Sequence, residues 1–66
     1  MEAIDKQIIL KLADNRMNIC EVGRILFLHR NTVSYHIGKI KKLTGLDPLN
    51  FYDLHKLVEQ VKDGDI

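Results

Sequence analysis

Between residues 29 and 42 the chain carries a run of polar, aromatic and basic side chains of the types that bind nucleic acid. Arg and Asn side chains read guanine and adenine edges in the major groove through paired hydrogen bonds, which makes Arg30 and Asn31 candidate base readers. Hydroxyl groups and lysines bind phosphate oxygens, and the ring of Tyr35 can also contact a thymine methyl group. The candidate DNA-contacting residues are His29, Arg30, Asn31, Thr32, Ser34, Tyr35, Lys39 and Lys42.

Several of these residues also have a purely structural interpretation. His29 fits the N-cap of a helix as well as it fits a DNA contact, and Arg30 and Asn31 could serve only to start that helix. Tyr35 could be a half-buried core aromatic. The sequence leaves both interpretations open for each of them.

The charges of the chain are unevenly distributed, although the formal net charge of all 66 residues is only +1. Residues 15–44 hold six basic residues against one acidic residue, a net charge of +5, and they include every candidate DNA contact. Residues 1–14 carry a net charge of −1, and residues 45–66 carry −3. A basic patch attracts polyanions such as DNA, although a run of charges is also typical of a solvated helix face.

Four segments of the chain have apolar residues at the spacing of an amphipathic α-helix. In the first segment, Ile4, Ile8 and Leu12 recur every four residues. The predicted helices cover about residues 3–14, 19–26, 30–43 and 51–62. No strand-type alternation of useful length and no repeat is present, so residues 1–66 are predicted to form one all-α domain, frayed at residues 63–66.

Capping residues support the boundaries of three of these helices. They are Asn18 with Glu21 before the second helix, His29 or Asn31 before the third, Gly45 after the third, and Asn50 with Asp53 before the fourth. An Asn side chain in this position accepts from the free N–H groups of the first turn. Glycine after a helix adopts the left-handed conformation that ends it.

The second and third predicted helices are separated by three residues, which is the pattern of a helix-turn-helix motif. In that motif the second helix enters the major groove of DNA. Gly23 lies inside the first helix of the pair, where it costs about 1 kcal/mol relative to Ala, so another backbone is expected to pass close to it. The turn lacks its frequent glycine because Phe27 stands there, which predicts either a turn without a left-handed glycine or a ring packed against the first or fourth helix.

The sequence resembles the PucR-type helix-turn-helix domain, most clearly in the segments Leu28–Ile37 and Leu43–Asp47. The resemblance covers about residues 8–60. That domain usually forms the C-terminus of regulators of purine catabolism and of sugar-diacid use. The resemblance implies a transcription regulator that reads DNA with its third helix. Ser34 and His36 stand where the family often has basic residues, which implies weaker attraction to phosphate or a different site preference.

We therefore expect an all-α, four-helix helix-turn-helix domain that binds specific duplex DNA sequences as part of a transcription regulator. A homodimer is expected, with the first or fourth helix at the contact, because one small module has weak specific affinity. The family's long N-terminal sensing region is missing from this chain, which implies an excised domain or a stand-alone reader, with effector sensing in a fused or separate domain. The alternative is a small helical module that binds a protein partner through the apolar stripe Phe51–Val61. The same stripe could instead form part of the hydrophobic core. A third option is a helix-turn-helix scaffold that binds no DNA.

The sequence lacks the motifs of enzymes and metal sites. Ser34 is its only serine, no carboxylates pair across a predicted cleft and no phosphate-binding loop occurs, so neither catalysis nor a cofactor is expected. The side chains that could bind a metal, at spacings that fit no metal site, are Cys20, His29, His36 and His55. His36 is expected to pack at the core edge with a hydrogen bond, and Cys20 to act as a small apolar residue. The apolar runs are too short to span a membrane, so the cytoplasm is the expected compartment.

Overall fold

The computed structural model describes residues 1–64, in which four α-helices follow one another and no strand occurs. They are α1 (Ala3–Asp14), α2 (Ile19–Leu26), α3 (Arg30–Thr44) and α4 (Phe51–Asp63). The predicted all-α, four-helix class is confirmed, and α3 and α4 each run one residue past their predicted ends. Asp63 is helical, against the predicted fraying of this end, and residues 65–66 lie outside the described part of the chain.

Local hydrogen bonds explain where the helices begin. The Asn18 side chain accepts from the N–H of Glu21 at 3.2 Å, and the Asn50 side chain accepts from two N–H groups at 3.0 and 3.1 Å. The Glu21 carboxylate does not complete a capping box by accepting the N–H of Asn18: that N–H donates to the carbonyl of Asn15 at 3.0 Å, and the carboxylate pairs with Arg24 one turn further along α2. At the start of α1, the N–H of Glu2 donates to the Asp5 carboxylate at 3.3 Å.

The connection between α1 and α2 is tight. Arg16 and Met17 both have positive φ angles, of 57° and 62°, which reverse the chain within a few residues. The N–H of Met17 donates back to the carbonyl of Leu12 at 2.7 Å. The connection therefore brings α2 back against α1 without any glycine.

The apolar faces of the helices meet around α1, which packs against each of the other three helices, while α2 and α3 also pack against each other. The buried apolar residues are Ile8, Ile9, Leu12, Val22, Val33, Ile37, Ile40, Leu54 and Leu57. In the predicted stripe Phe51–Val61, α4 buries Leu54 and Leu57, whereas Phe51 is 68% exposed. The stripe is thus core in its middle and open at its start.

Candidate nucleic-acid interface

The contact between α2 and the turn that follows it depends on Gly23. A Cβ atom at this position would lie 2.6 Å from the carbonyl oxygen of Leu28 and 3.6 Å from Cγ2 of Val33. Real Cβ atoms essentially never approach another heavy atom as closely as the first of these distances. The predicted close approach of another backbone at Gly23 is therefore confirmed, and the backbone concerned is that of the turn.

α2 ends at Leu26, and its C-cap is Phe27, whose φ of 58° and ψ of 40° place it in the left-handed region. The next N–H, of Leu28, donates to the carbonyl of Gly23 at 2.7 Å and closes the helix as it would after a glycine cap. A residue with a side chain adopts this conformation at a cost of about 1–2 kcal/mol. The side chain of Phe27 is 95% exposed, so the predicted packing of its ring against the first or fourth helix is wrong. The turn keeps a left-handed geometry with phenylalanine in place of glycine.

His29 is the N-cap of α3, because its Nδ1 atom accepts the N–H of Asn31 at 3.0 Å. When Nδ1 of a neutral imidazole accepts a hydrogen bond, the ring proton is on Nε2. His29 is exposed. Its capping role thus leaves one ring N–H as a donor for a phosphate or another external acceptor.

The exposed side of α3 lies opposite its buried residues Val33, Ile37 and Ile40. The predicted DNA contacts that are exposed in the first two turns of the helix are Arg30, Asn31, Thr32, Ser34 and Tyr35. Within residues 1–64, none of these five side chains takes part in a hydrogen bond or an ion pair. Tyr35 is 67% exposed and its ring meets that of His36 edge-on, so it is not a half-buried core aromatic. These groups can exchange bound water for an external partner.

Gly38 leaves a gap in the same side of α3. A Cβ atom at Gly38 would meet no atom within 4 Å, and a cavity of about 390 Å³ opens there. It is lined by Ser34, Tyr35, Gly38, Lys39 and Lys42. Lys42 is exposed and has no acidic partner in the part of the chain that the structure describes. The gap and this lysine fit the approach of a phosphate-bearing strand.

Lys39 differs from the other predicted contacts because two carboxylates bind it, one from the N-cap of α1 and one from its first turn. Its Nζ atom lies 3.1 Å from Oε1 of Glu2 and 3.1 Å from Oδ2 of Asp5. The hydrogen bond with Glu2, helped by the hydrogen bond and charge of Asp5, raises the pKa of Lys39 above its ordinary value against the opposing effect of desolvation. The ammonium of Lys39 is therefore largely neutralised by its own chain.

Asp5 is the centre of this cluster and is not among the residues predicted from the sequence. It is fully buried, and its Oδ1 atom lies 2.8 Å from Nδ1 of His36, which packs at the core edge with the expected hydrogen bond. A signal was present, since Asp5 precedes Ile8 and Ile9 by three and four residues and so lies in line with the buried stripe of α1. A carboxylate at such a position requires hydrogen-bonded partners.

Other chemistry that the sequence raised can be located in the structure as well. Residues 1–64 bring together no group of three or more His, Cys, Asp or Glu side chains that could hold a metal ion. Cys20, expected to act as a small apolar residue, is a free and exposed thiol on α2. Among the described residues, none of the helices combines the length and the apolar character needed to cross a bilayer.

The arrangement of α2, the turn and α3, with its close backbone contact at Gly23 and its open polar side on α3, is typical of a helix-turn-helix domain. The chain belongs to the family of PucR C-terminal helix-turn-helix domains, whose sequence model matches residues 8–60. Domains of this kind serve in DNA-binding transcription regulators and are not usually enzymes.

A curated relative shares part of this sequence. The chain is 52% identical over 31 residues to the carbohydrate diacid regulator of Escherichia coli (strain K12). The matched stretch is 47% of this chain and 8% of the length of that regulator. No solved structure gave a significant match.

Proposed function

We propose that the domain binds specific sequences of duplex DNA in a transcription regulator, with α3 lying in the major groove. The observation that carries this proposal is the exposed side of α3, where five polar or basic side chains have no partner within residues 1–64. With 15 residues α3 is about 22 Å long, and an α-helix of ordinary diameter fits the major groove. The net charge of +5 on residues 15–44 supplies attraction to the phosphates.

The N-terminal turn of α3 is the proposed base-reading part. Arg30 and Asn31 lie at the end of the helix that enters the groove in this motif, and their side chains suit guanine and adenine edges. His29 would donate its Nε2–H to a phosphate while it caps the helix. The exposed groups of Thr32, Ser34 and Tyr35 suit phosphate, and the Tyr35 ring also suits a thymine methyl group.

Further along α3, Lys42 is the proposed direct phosphate contact. Lys39 is proposed as a weaker contact, because an ammonium has three donors and two of them are used by Glu2 and Asp5. The N-terminus of α2 adds backbone N–H groups next to Asn18, at the positive end of a helix dipole. Phosphate contacts of this kind set the position of α3 and do not read sequence.

We further propose that the domain works as a homodimer on two half-sites about 34 Å apart, because a single small module has weak specific affinity. The open start of α4, where Phe51 is 68% and Tyr52 75% exposed, is the proposed dimer contact, with α1 beside it. The relative is named for carbohydrate diacids. A sensing domain for such an effector, fused or separate, would complete the regulator and place its action with the DNA in the cytoplasm.

The second candidate function is binding of a protein partner through α4, and one observation favours it. Beside the exposed ring of Phe51, a mostly apolar cavity of about 420 Å³ lies between the end of α1 and the start of α4. It is lined by Leu12, Ala13, Arg16, Met17, Phe51, Leu54, His55 and Val58. Binding of a protein through this apolar surface should depend little on salt, whereas binding of DNA through the polar side of α3 should weaken steeply as salt is added.

Selection of bound sites from random duplexes, followed by a salt titration, tests the proposal. If α3 binds DNA, the 66-residue chain enriches a defined sequence, and log K falls with log[salt] with a slope of about −0.9 for each neutralised phosphate. An apolar α4 interface would show little dependence on salt. The proposal is rejected if no duplex is enriched and no duplex binds with a steep salt dependence.

A further inference from the structure

The turn between α2 and α3 holds an apolar ring that the domain itself does not use. The side chain of Phe27 is 95% exposed, and its backbone has a φ of 58°, a conformation that glycine adopts without strain. Neither the exposed ring nor the strained backbone returns any packing energy to the core. An exposed apolar ring on a strained backbone is typical of a residue that binds a partner outside the domain.

The position of Phe27 limits what that partner can be. Phe27 lies two residues before His29, the N-cap of α3, so its Cα atom is within about 7.6 Å of the N-cap Cα atom. Arg30 and Asn31 follow directly, and both are exposed. On α2, the acidic Glu21 is already paired with Arg24. The neighbours of Phe27 along the chain, residues 22–34, include no acidic residue, and they contain the end of α3 that faces DNA in the proposed function.

The amount of apolar surface around Phe27 also favours DNA over a protein. Its nearest exposed apolar neighbour along the chain is Ile25, which is only 40% exposed. A stable protein interface buries about 800 Å² on each partner, far more than one ring offers. DNA, in contrast, commonly takes single apolar contacts, because thymine methyl groups lie in the major groove among otherwise polar edges.

We propose that Phe27 is an apolar DNA contact at the entry of the reading helix, packed against a thymine methyl group or a deoxyribose of the bound site. This inference rests on the proposed function, since it requires the N-terminal turn of α3 to lie at the DNA. It gives the unusual turn a role in affinity and sequence preference.

The test compares Phe27→Gly and Phe27→Asn with the wild-type chain, because both replacements suit the left-handed conformation and remove the ring. The unfolding equilibrium constant of Phe27→Gly should fall about fivefold as the strain is relieved. Affinity of both variants for the selected duplex should fall about tenfold, the loss expected if about 55 Å² of apolar surface stays in water. The slope of log K against log[salt] should not change, because no phosphate contact is lost. Phe27→Tyr keeps the ring and should bind within about twofold of wild type.

Two further arms separate the outcomes. Replacement of single thymines of the selected duplex by deoxyuridine removes one methyl group at a time. A position where this replacement weakens binding of wild type and leaves binding of Phe27→Gly unchanged identifies the thymine methyl group that Phe27 contacts. If no position behaves in this way, the contact is with a deoxyribose. If wild type, Phe27→Gly and Phe27→Asn bind the duplex with equal affinity, this inference is overturned and the proposed function stands. The same holds if the variants bind equally well but lose self-association, because Phe27 would then contact a second copy of the chain and not DNA. A wild-type chain that binds no duplex overturns the proposed function together with it.

Discussion

Two glycines in neighbouring helices should respond in opposite ways to the same substitution. Gly23 and Gly38 both lie inside helices, where alanine is favoured over glycine by about 1 kcal/mol. At Gly38 the new methyl group meets no atom within 4 Å, so Gly38→Ala should realise this gain in full. At Gly23 the methyl group would lie 2.6 Å from the Leu28 carbonyl oxygen, which belongs to the backbone and cannot rotate away.

The cost at Gly23 can be set against the gain. Forcing an extra methyl group into a packed contact costs about 1–3 kcal/mol, and here the shift also disturbs the 2.7 Å bond from the Leu28 N–H to the Gly23 carbonyl. After the helix gain of about 1 kcal/mol is subtracted, Gly23→Ala should destabilise the domain by up to about 2 kcal/mol. Each kcal/mol changes the Tm of a domain of this size by about 4–8 °C.

Thermal and urea unfolding of both variants, followed by circular dichroism at the helix band, measures this difference. Gly38→Ala should raise the Tm by about 4–8 °C, while Gly23→Ala should lower it or, at the lower limit of the cost, leave it unchanged. Gly38→Ala should also weaken DNA binding despite its greater stability, because the methyl group fills the gap on the exposed side of α3. A Gly23→Ala variant as stable as Gly38→Ala would refute the account of the α2–turn contact.

Three further outcomes are expected. Asp5→Asn should destabilise the domain by about 1.5–3 kcal/mol, because the charged hydrogen bonds of the buried carboxylate are lost. Glu2→Gln, at an exposed site, should cost under about 1 kcal/mol. Equal losses of stability in urea unfolding would contradict the central place of Asp5. Lys42→Ala should reduce the salt slope of DNA binding by about one unit, and Lys39→Ala by less, so the reverse order would exclude the proposed roles of the two lysines. Because the pKa of Lys39 is raised in the folded state, its ion pairs should stabilise the domain fully at pH values below the ordinary pKa of 10.5. This stabilisation should be lost as the pH rises through the raised pKa. In unfolding experiments at increasing pH, Lys39→Ala should remove this loss of stability.

Features set by short stretches of sequence could be predicted. The helix periodicity, the caps at Asn18 and Asn50 and the left-handed Gly45 after α3 all depend on residues within one or two turns of each other. The need for glycine at position 23 could also be predicted, because a glycine inside a helix requires a compensating contact. The family resemblance rests on the same local pattern and is confirmed over residues 8–60.

Features that depend on the whole fold could not be predicted. The bond between Asp5 and His36 joins residues 31 positions apart, and only the packing of α1 on α3 brings them together. The same cluster binds the ammonium group of Lys39, although the residue still lines the cavity on the open side of α3 as its position on the helix predicted. The left-handed conformation of Phe27 follows from how α2 and α3 must be joined, and this overrides the ordinary preference of a phenylalanine.

Sequence reading by α3 is the central claim, and the specificity of Arg30→Ala tests it most directly. The measurement compares the affinities of wild type and Arg30→Ala for the selected duplex, for its single-base variants and for a random duplex. Lys56→Ala, at an exposed position of α4, is the control for loss of one positive charge. If α3 reads sequence, Arg30→Ala should lose about 1–3 kcal/mol on the selected duplex and relax the preference at one base position, while Lys56→Ala should leave the ratio of specific to random binding unchanged. An equal loss of affinity for selected and random duplexes in Arg30→Ala would contradict sequence reading by α3.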